Sequence, residues 1–305
     1  MHGSHGHGHA HPHNHAHGSD ILRDKRYSIA IALNLGFVVV EAAAGFIANS
    51  TALLSDAAHN LSDVLGLALA GGAAWLATRN SSEKRTYGFS KATVLAALAN
   101  GLVLFAVSGG ILWEALSRFA APETTQGWPV IAVAGAGVVV NGLTALLFVA
   151  GRERDVNVRG AFLHMLADAG VSAGVVIAGV AILLTGQSWI DPLTSVVVVA
   201  LIVWGAWDLL RESLDLAMDA APRHIDVGAV RDFLAAQPGV IAVHDLHVWA
   251  MGATEPALTV HLERPEGGGD AFLAALTEGV AERFGITHVT VQIETERRED
   301  CAGCD

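Results

Sequence analysis

Six apolar runs, at about 28–48, 52–77, 92–116, 129–150, 161–185 and 190–210, follow one another with only short polar links between them. Each reaches or exceeds the ~20 residues that an α-helix needs to cross the hydrocarbon core of a bilayer. One such run could be a helix buried in a large globular core; six in succession predict a membrane bundle. From residue 222 onward charges and prolines return, and shorter patterns replace the runs. Val227, Val230 and Leu234 are spaced for one helix. Phe272, Leu273, Leu276, Val280 and Phe284 are spaced for a second, opened by Asp270 and closed by Gly285. Strands are predicted at about 241–249, 257–264 and 287–294, with Leu246, Val248, Leu258, Val260, Leu262, Val289, Val291 and Ile293 turned toward the helices. The expected organisation is a polar tail (1–25), an all-α six-helix transmembrane bundle (26–215) and an α+β domain of order αββαβ (216–305).

Composition agrees with this division. Hydrophobic residues make up 52% of the chain and charged residues 16%, against about 25% charged in ordinary soluble domains. The net charge of −12 lies mostly in the last third and argues against a nucleic-acid partner. Lys and Arg alternate between links: Arg23, Lys25 and Arg26 precede the first span, Arg79, Lys84, Arg85 and Lys91 follow the second, and Arg152, Arg154 and Arg159 follow the fourth. The opposite links hold only Arg118. The positive-inside rule then puts both termini in the cytoplasm. The first twenty residues contain no apolar stretch of the kind a cleavable signal needs, so the first span is expected to serve as the insertion signal. The compact links and the high Ala and Gly content point to a bacterial inner membrane. Cys301 and Cys304, the only cysteines, are then cytoplasmic and expected to be reduced.

Polar residues inside the spans carry the chemistry. His59 and Asp63 in the second run, and His164 and Asp168 in the fifth, are each spaced i, i+4, which stacks both side chains on one helix face. A carboxylate in the bilayer core costs roughly 2.5–3.5 kcal/mol on insertion scales, so such residues turn inward and mark ion paths. Two imidazoles and two carboxylates form a ligand set for a tetrahedral divalent ion, zinc above all. Neutral imidazole and carboxylate are the binding forms, so protons compete with the metal for the same lone pairs. The plain alternative is interhelical hydrogen bonding that holds the bundle together. Asp56 either assists protons or metal or caps its helix. Glu41 is either a proton site or a partner for a neighbouring helix. Asn34, Asn100 and Asn141 are expected to bond between helices.

Two further regions suit metal. Residues 2–17 hold eight of the fifteen histidines, spaced by small residues that cannot build a core. On the predicted sheet, His247, His261, His288, Gln292 and Glu294 share the parity that points away from the helices. This suggests a regulatory metal site or a dimer contact. His244 has the wrong parity to join His247, unless a strand-end position frees it. No His-Glu-x-x-His helix is present, which counts against a metalloprotease, and no enzyme is expected.

The stretch Asn49-Ser-Thr-Ala-Leu-Leu-Ser-Asp56-Ala-Ala-His59-Asn60-Leu-Ser-Asp63 resembles the second helix of the cation diffusion facilitators, zinc-type efflux transporters. The resemblance continues through Tyr87-Gly88-Phe89, the His164/Asp168 pair, Asp191-Pro192 and Leu210-Arg211-Glu212-Ser213. It implies a cytoplasmic ferredoxin-like domain, a homodimer, and Zn²⁺/H⁺ antiport by alternating access, with zinc as cargo and no catalytic cofactor. The transport site falls on His59, Asp63, His164 and Asp168, and histidine at its first position implies preference for zinc. Cys301-Ala-Gly-Cys304 is similar to a C-terminal pair that supplies thiolates to a cytoplasmic zinc site in vesicular zinc transporters. With His247, His261, His288 and Glu294 it makes up a possible second site. Two departures stand out. Where the family commonly has Arg-x-Glu, this chain has Lys91-Ala92-Thr93, and the link after the second span lacks histidines, so no site is expected there. Co²⁺, Ni²⁺, Cd²⁺ and Mn²⁺ remain alternative cargoes, and a membrane-anchored metal buffer or sensor is the alternative function.

Overall fold

The computed structural model describes residues 25–121, 123–149 and 156–296. The histidine-rich segment 1–24 and the Cys301/Cys304 pair lie outside the described residues. Six long helices come first: α1 (Lys25–Ala48), α2 (Thr51–Ala77), α3 (Ala92–Ala120), α4 (Gly127–Phe148), α5 (Val156–Thr185) and α6 (Ile190–Ala217). All six are long and apolar enough to cross a membrane, with α2 the least hydrophobic at a mean hydropathy of 1.2. Their outer surfaces display Phe46, Trp113, Leu184 and Trp204, each at least 76% exposed. That is a surface made for lipid rather than water. α6 outlasts its apolar run and continues through Arg211 and Glu212 to Ala217.

Within the bundle α4 packs along α5, α3 along α6, and α2 against α1, α3, α5 and α6. Small residues let the helices approach, because lipid leaves packing rather than hydrophobic transfer to drive association. A Cβ on Gly137 of α4 would lie 2.8 Å from the Phe37 ring of α1 and 2.9 Å from Ser172 Oγ of α5. The start of α2 is fixed by a residue from far along the chain. Asp191, in the first turn of α6, accepts hydrogen bonds from Thr51 N (2.7 Å), Thr51 Oγ1 (2.8 Å) and Ser50 Oγ. Ser50 in turn caps α2 through Leu53 N at 3.2 Å. A buried carboxylate here satisfies the orphan amides of α2 and suits the positive ends of both helix dipoles.

The C-terminal domain follows as α7 (Val227–Ala235), β1 (Ala242–Gly252), β2 (Glu255–Glu263), α8 (Asp270–Phe284) and β3 (His288–Glu294). The sheet order is β1-β2-β3, with β1 and β2 antiparallel and β2 and β3 parallel. These are the order and directions left when the first strand of a βαββαβ ferredoxin-like motif is removed. Val248, Leu258, Val260 and Leu262 pack with Val230, Leu234, Leu276 and Val280 into the domain's core, and Leu246, Val289, Val291 and Ile293 border it. The predicted inward face is therefore the observed one. α8 ends where predicted, at Gly285, whose φ of 70° most side chains resist.

The residues at the departure from the family's Arg-x-Glu join the two parts. Lys91 pairs with Asp219 and donates to Ala250 O at 3.1 Å, while Ala253 N donates to Thr93 Oγ1 at 3.0 Å. The tip of the β1–β2 hairpin is thereby tied to the first turn of α3.

Candidate metal centre

His59 and Asp63 project from α2 and His164 and Asp168 from α5, and the packing of these helices brings all four together. The closer pairing runs between helices. His59 Nε2 lies 3.2 Å from Asp168 Oδ1, and His164 Nε2 lies 3.2 Å from Asp63 Oδ2. The two i, i+4 pairs within helices are looser, at 3.7 Å each. A tetrahedral zinc site with bonds of about 2.0–2.1 Å separates its ligand atoms by roughly 3.3 Å. The four His–Asp separations are of that order; His59, Asp63 and Asp168 offer ligand atoms within 4.8 Å of one another, and His164 adjoins this trio through both carboxylates, its ring 6.0 Å from that of His59. Asp168 is 2% exposed, whereas the His164 side chain is 43% exposed.

The exposure comes from a cavity of about 470 Å³ that reaches Asp63, His164 and Asp168. It runs along α2 to Ala70 and past Thr93 and Leu209, toward the end of the bundle that carries the C-terminal domain. The other end is shut. Ala52, Leu53, Val130, Ala134, Val175 and Val198 form a buried cluster there. Ser55 Oγ meets Ser195 Oγ at 2.6 Å, and Arg118 donates to Asn49 O at 2.7 Å.

Of the other polar residues, Asn34 Nδ2 reaches Met165 Sδ of α5 at 3.5 Å, and Asn100 lies against Gly66 of α2. Asn141 is fully buried without a hydrogen-bond partner among the described residues, so the expected interhelical bond is not found there. Asp56 does not cap α2; it accepts from Ser172 Oγ of α5 at 2.8 Å. Glu41 accepts from Asn60 Nδ2 of α2 at 3.2 Å.

The polar sheet face holds a second group, with a membership that differs from the expected one. His244, His261 and Glu294 offer ligand atoms within 4.8 Å of one another. His244 Nε2 is 3.2 Å from Glu294 Oε2, and His261 Nδ1 is 3.3 Å from Glu294 Oε1. Gln292 Nε2 holds that Oε1 at 2.9 Å. His244 joins because strand parity breaks between His244 and His247. Asp245 there adopts φ 50°, an αL conformation that Asp tolerates better than most residues, and the extra residue of a β-bulge turns His244 and His247 to the same face. The parity argument against His244 is corrected by that bulge. Asp245, not anticipated, bridges His261 Nε2 (3.3 Å) and His247 Nε2 (2.9 Å). His247 is largely exposed and reaches the group only through Asp245, and the His288 ring stands edge-on to Tyr87 at 5.5 Å. Neither belongs to the trio. The sole warning in the sequence was an aspartate inside a strand, a residue depleted there.

Residues 28–216 match the cation efflux transmembrane domain, and residues 222–296 match the cytoplasmic domain of cation efflux proteins. The chain is 34% identical to the metal cation efflux system protein CzcD of Cupriavidus metallidurans over 89% of its length and 86% of that protein's. It is 33% identical to a cadmium, cobalt and zinc/H(+)-K(+) antiporter of Bacillus subtilis, over 88% of each chain. It is also 34% identical to zinc transporter ZitB of Escherichia coli, over 92% of this chain and 90% of that one.

Proposed function

Since the chain belongs to the cation efflux family, a family of membrane transporters, we propose that it exports Zn²⁺ from the cytoplasm in exchange for protons, using His59, Asp63, His164 and Asp168. The observation that carries this reading is the meeting of two imidazoles and two carboxylates from facing helices at His–Asp separations of 3.2 to 3.7 Å, beside a cavity that reaches Asp63, His164 and Asp168. Zn²⁺ reaches the cavity from the end that carries the C-terminal domain. The Lys and Arg of the links at that end support a cytoplasmic side there, with both termini in the cytoplasm of a bacterial inner-membrane protein. His164 and Asp63 meet the ion first, because they are the more exposed, and Asp168 completes the site from the buried side. Binding displaces protons from the imidazoles and carboxylates; after release to the far side, protons refill the same lone pairs. Release requires the end closed by Asp191, Ser55 and Arg118 to open. Among cargoes named for the relatives, zinc suits two nitrogens and two oxygens in a tetrahedron, and cobalt and cadmium are secondary.

The trio on the sheet fits a resident zinc ion. Its donors are two imidazoles and a carboxylate, and His261 Nδ1 is buried without a well-formed hydrogen bond. His244, His261 and Glu294 would hold the ion, with Cys301 and Cys304 as further donors, and the ion would cross-link β1, β2 and β3. The cytoplasmic domain also supports a homodimer.

The test is flux. Purified protein in proteoliposomes, with a zinc dye inside and an imposed pH step, is expected to move Zn²⁺ against the proton gradient. Zinc binding without movement would instead make the protein a buffer.

A further inference from the structure

Glu41 of α1 and Asp56 of α2 are both 0% exposed, and neither lines the cavity. Each carboxyl has one oxygen served by a donor: Asn60 Nδ2 to Glu41 Oε2, and Ser172 Oγ to Asp56 Oδ2. The other oxygens, Glu41 Oε1 and Asp56 Oδ1, accept from no donor among the described residues. Asp56 and Asn60 lie one turn apart on α2, and Asn60 is the donor that serves Glu41, so the two buried carboxyl groups stand as neighbours on one side of that helix. No Lys or Arg bonds to either among the described residues, and α4, which packs on α1 and α5, contains no charged residue. Two adjacent buried carboxylates without a cation cannot both stay ionised. One proton between the two unserved oxygens supplies the missing donor to both.

We propose that Glu41 and Asp56 form a proton-binding site, distinct from the metal ligands, that holds one shared proton while the metal group is empty and gives it up as the group fills. This rests on the zinc/proton reading above. The pair is wired to the metal group at three points. Asp56 precedes His59 by one turn of α2, Ser172 follows Asp168 by one turn of α5, and Asn60 touches Glu41 while facing the cavity. The titratable groups acting on Asp56 are Glu41 of α1, His59 of its own helix and Asp168 of α5. A divalent ion on His59 and Asp168 repels the shared proton across a helical turn. The proton leaves past Asn60 to the water of the cavity, and the two carboxylates then face the dication. When the metal departs, a proton returns to the pair. The transporter would thus exchange a proton that never occupied a metal ligand.

The experiment counts protons released per Zn²⁺ bound by the full-length protein in detergent, by calorimetry in buffers of different ionisation enthalpy. E41Q and D56N keep the shape of the pair and offer an amide hydrogen in place of the proton, so both are expected to assemble. Each should release about one proton fewer per Zn²⁺ than the wild type. Infrared difference spectra of the wild type should lose a protonated-carboxyl band on zinc addition, and that band should be missing in both variants. Unchanged proton release in both variants, or a zinc-sensitive band that survives both, overturns the proposal. Should one variant fail to assemble, the other and the wild-type spectrum decide. Absence of zinc flux in the wild type sinks the parent reading; flux with an unaltered proton count sinks only this one.

Discussion

The bundle and the sheet each gather two imidazoles with carboxylate, but they do so by different means. In the bundle, each helix places its His and Asp on one face by the i, i+4 spacing of a local hydrogen-bond pattern, and packing only has to bring two faces together. On the sheet, the donors come from three strands, and a single extra residue at Asp245 decides which histidine faces which way. The first arrangement tolerates small errors of register, because each imidazole has a carboxylate on both helices at nearly the same distance, 3.2 Å to Asp168 and 3.7 Å to Asp63 for His59. The second does not, since a one-residue slip sends a side chain to the other face. The solvents differ as well. The sheet's core is held by transfer of apolar surface out of water, whereas the bundle's helices are already in an apolar medium and gain mainly from packing.

The largest effect should come from the deepest ligand. Asp168→Ala is expected to reduce zinc flux in proteoliposomes beyond the 10–100-fold typical of losing a residue that merely supports a ligand, roughly to background. Thermal melting and elution volume should stay near those of the wild type. Unchanged flux would remove Asp168 from the transport group. A pair of truncations tests the contrast in solvents. Leu258→Ala in the sheet core should cost about 2–5 kcal/mol in denaturant unfolding of the C-terminal domain. Leu53→Ala, equally buried in the bundle, should cost less in a detergent-unfolding assay, because only packing is lost. An equal or larger cost for Leu53 would break that half of the comparison.

For the sheet trio, His244→Ala should lower the zinc stoichiometry of the full-length protein by one equivalent per chain, measured by metal analysis after dialysis. His247→Ala, on an exposed side chain, should shift affinity by no more than about 0.5 kcal/mol. The reverse ranking would mean that the bulge does not turn His244 inward. Acidification is expected to act on both groups together. Protonated imidazole cannot bind metal, so zinc occupancy at both sites should fall as the medium is made acidic. Retention of full occupancy in strong acid would show that imidazoles are not ligands.

Much of this was legible beforehand for a physical reason. The six spans, the α+β domain, its inward face and the end of α8 at Gly285 follow from periodicities of 3.6 and 2 that each segment carries within itself. The meeting of His59, Asp63, His164 and Asp168 was readable on the same ground, since charge inside an apolar run turns toward other polar groups. What escaped were features set by residues distant in the chain: Asp191 reaching back to cap α2, Lys91 and Thr93 holding the hairpin, and Asp245 reordering the sheet face.

By itself, then, the chain's pattern determined where the six long apolar helices run and which of their faces carry His and Asp. Only the tertiary structure decided that His59 sits closer to Asp168 than to its own helix neighbour Asp63, that His244 replaces His247, and that Glu41 and Asp56 are buried against Asn60 and Ser172. The dividing line is the range of the forces. Hydrogen bonds four residues apart are encoded where they act, whereas contacts between helices or strands depend on packing that no local stretch of sequence contains.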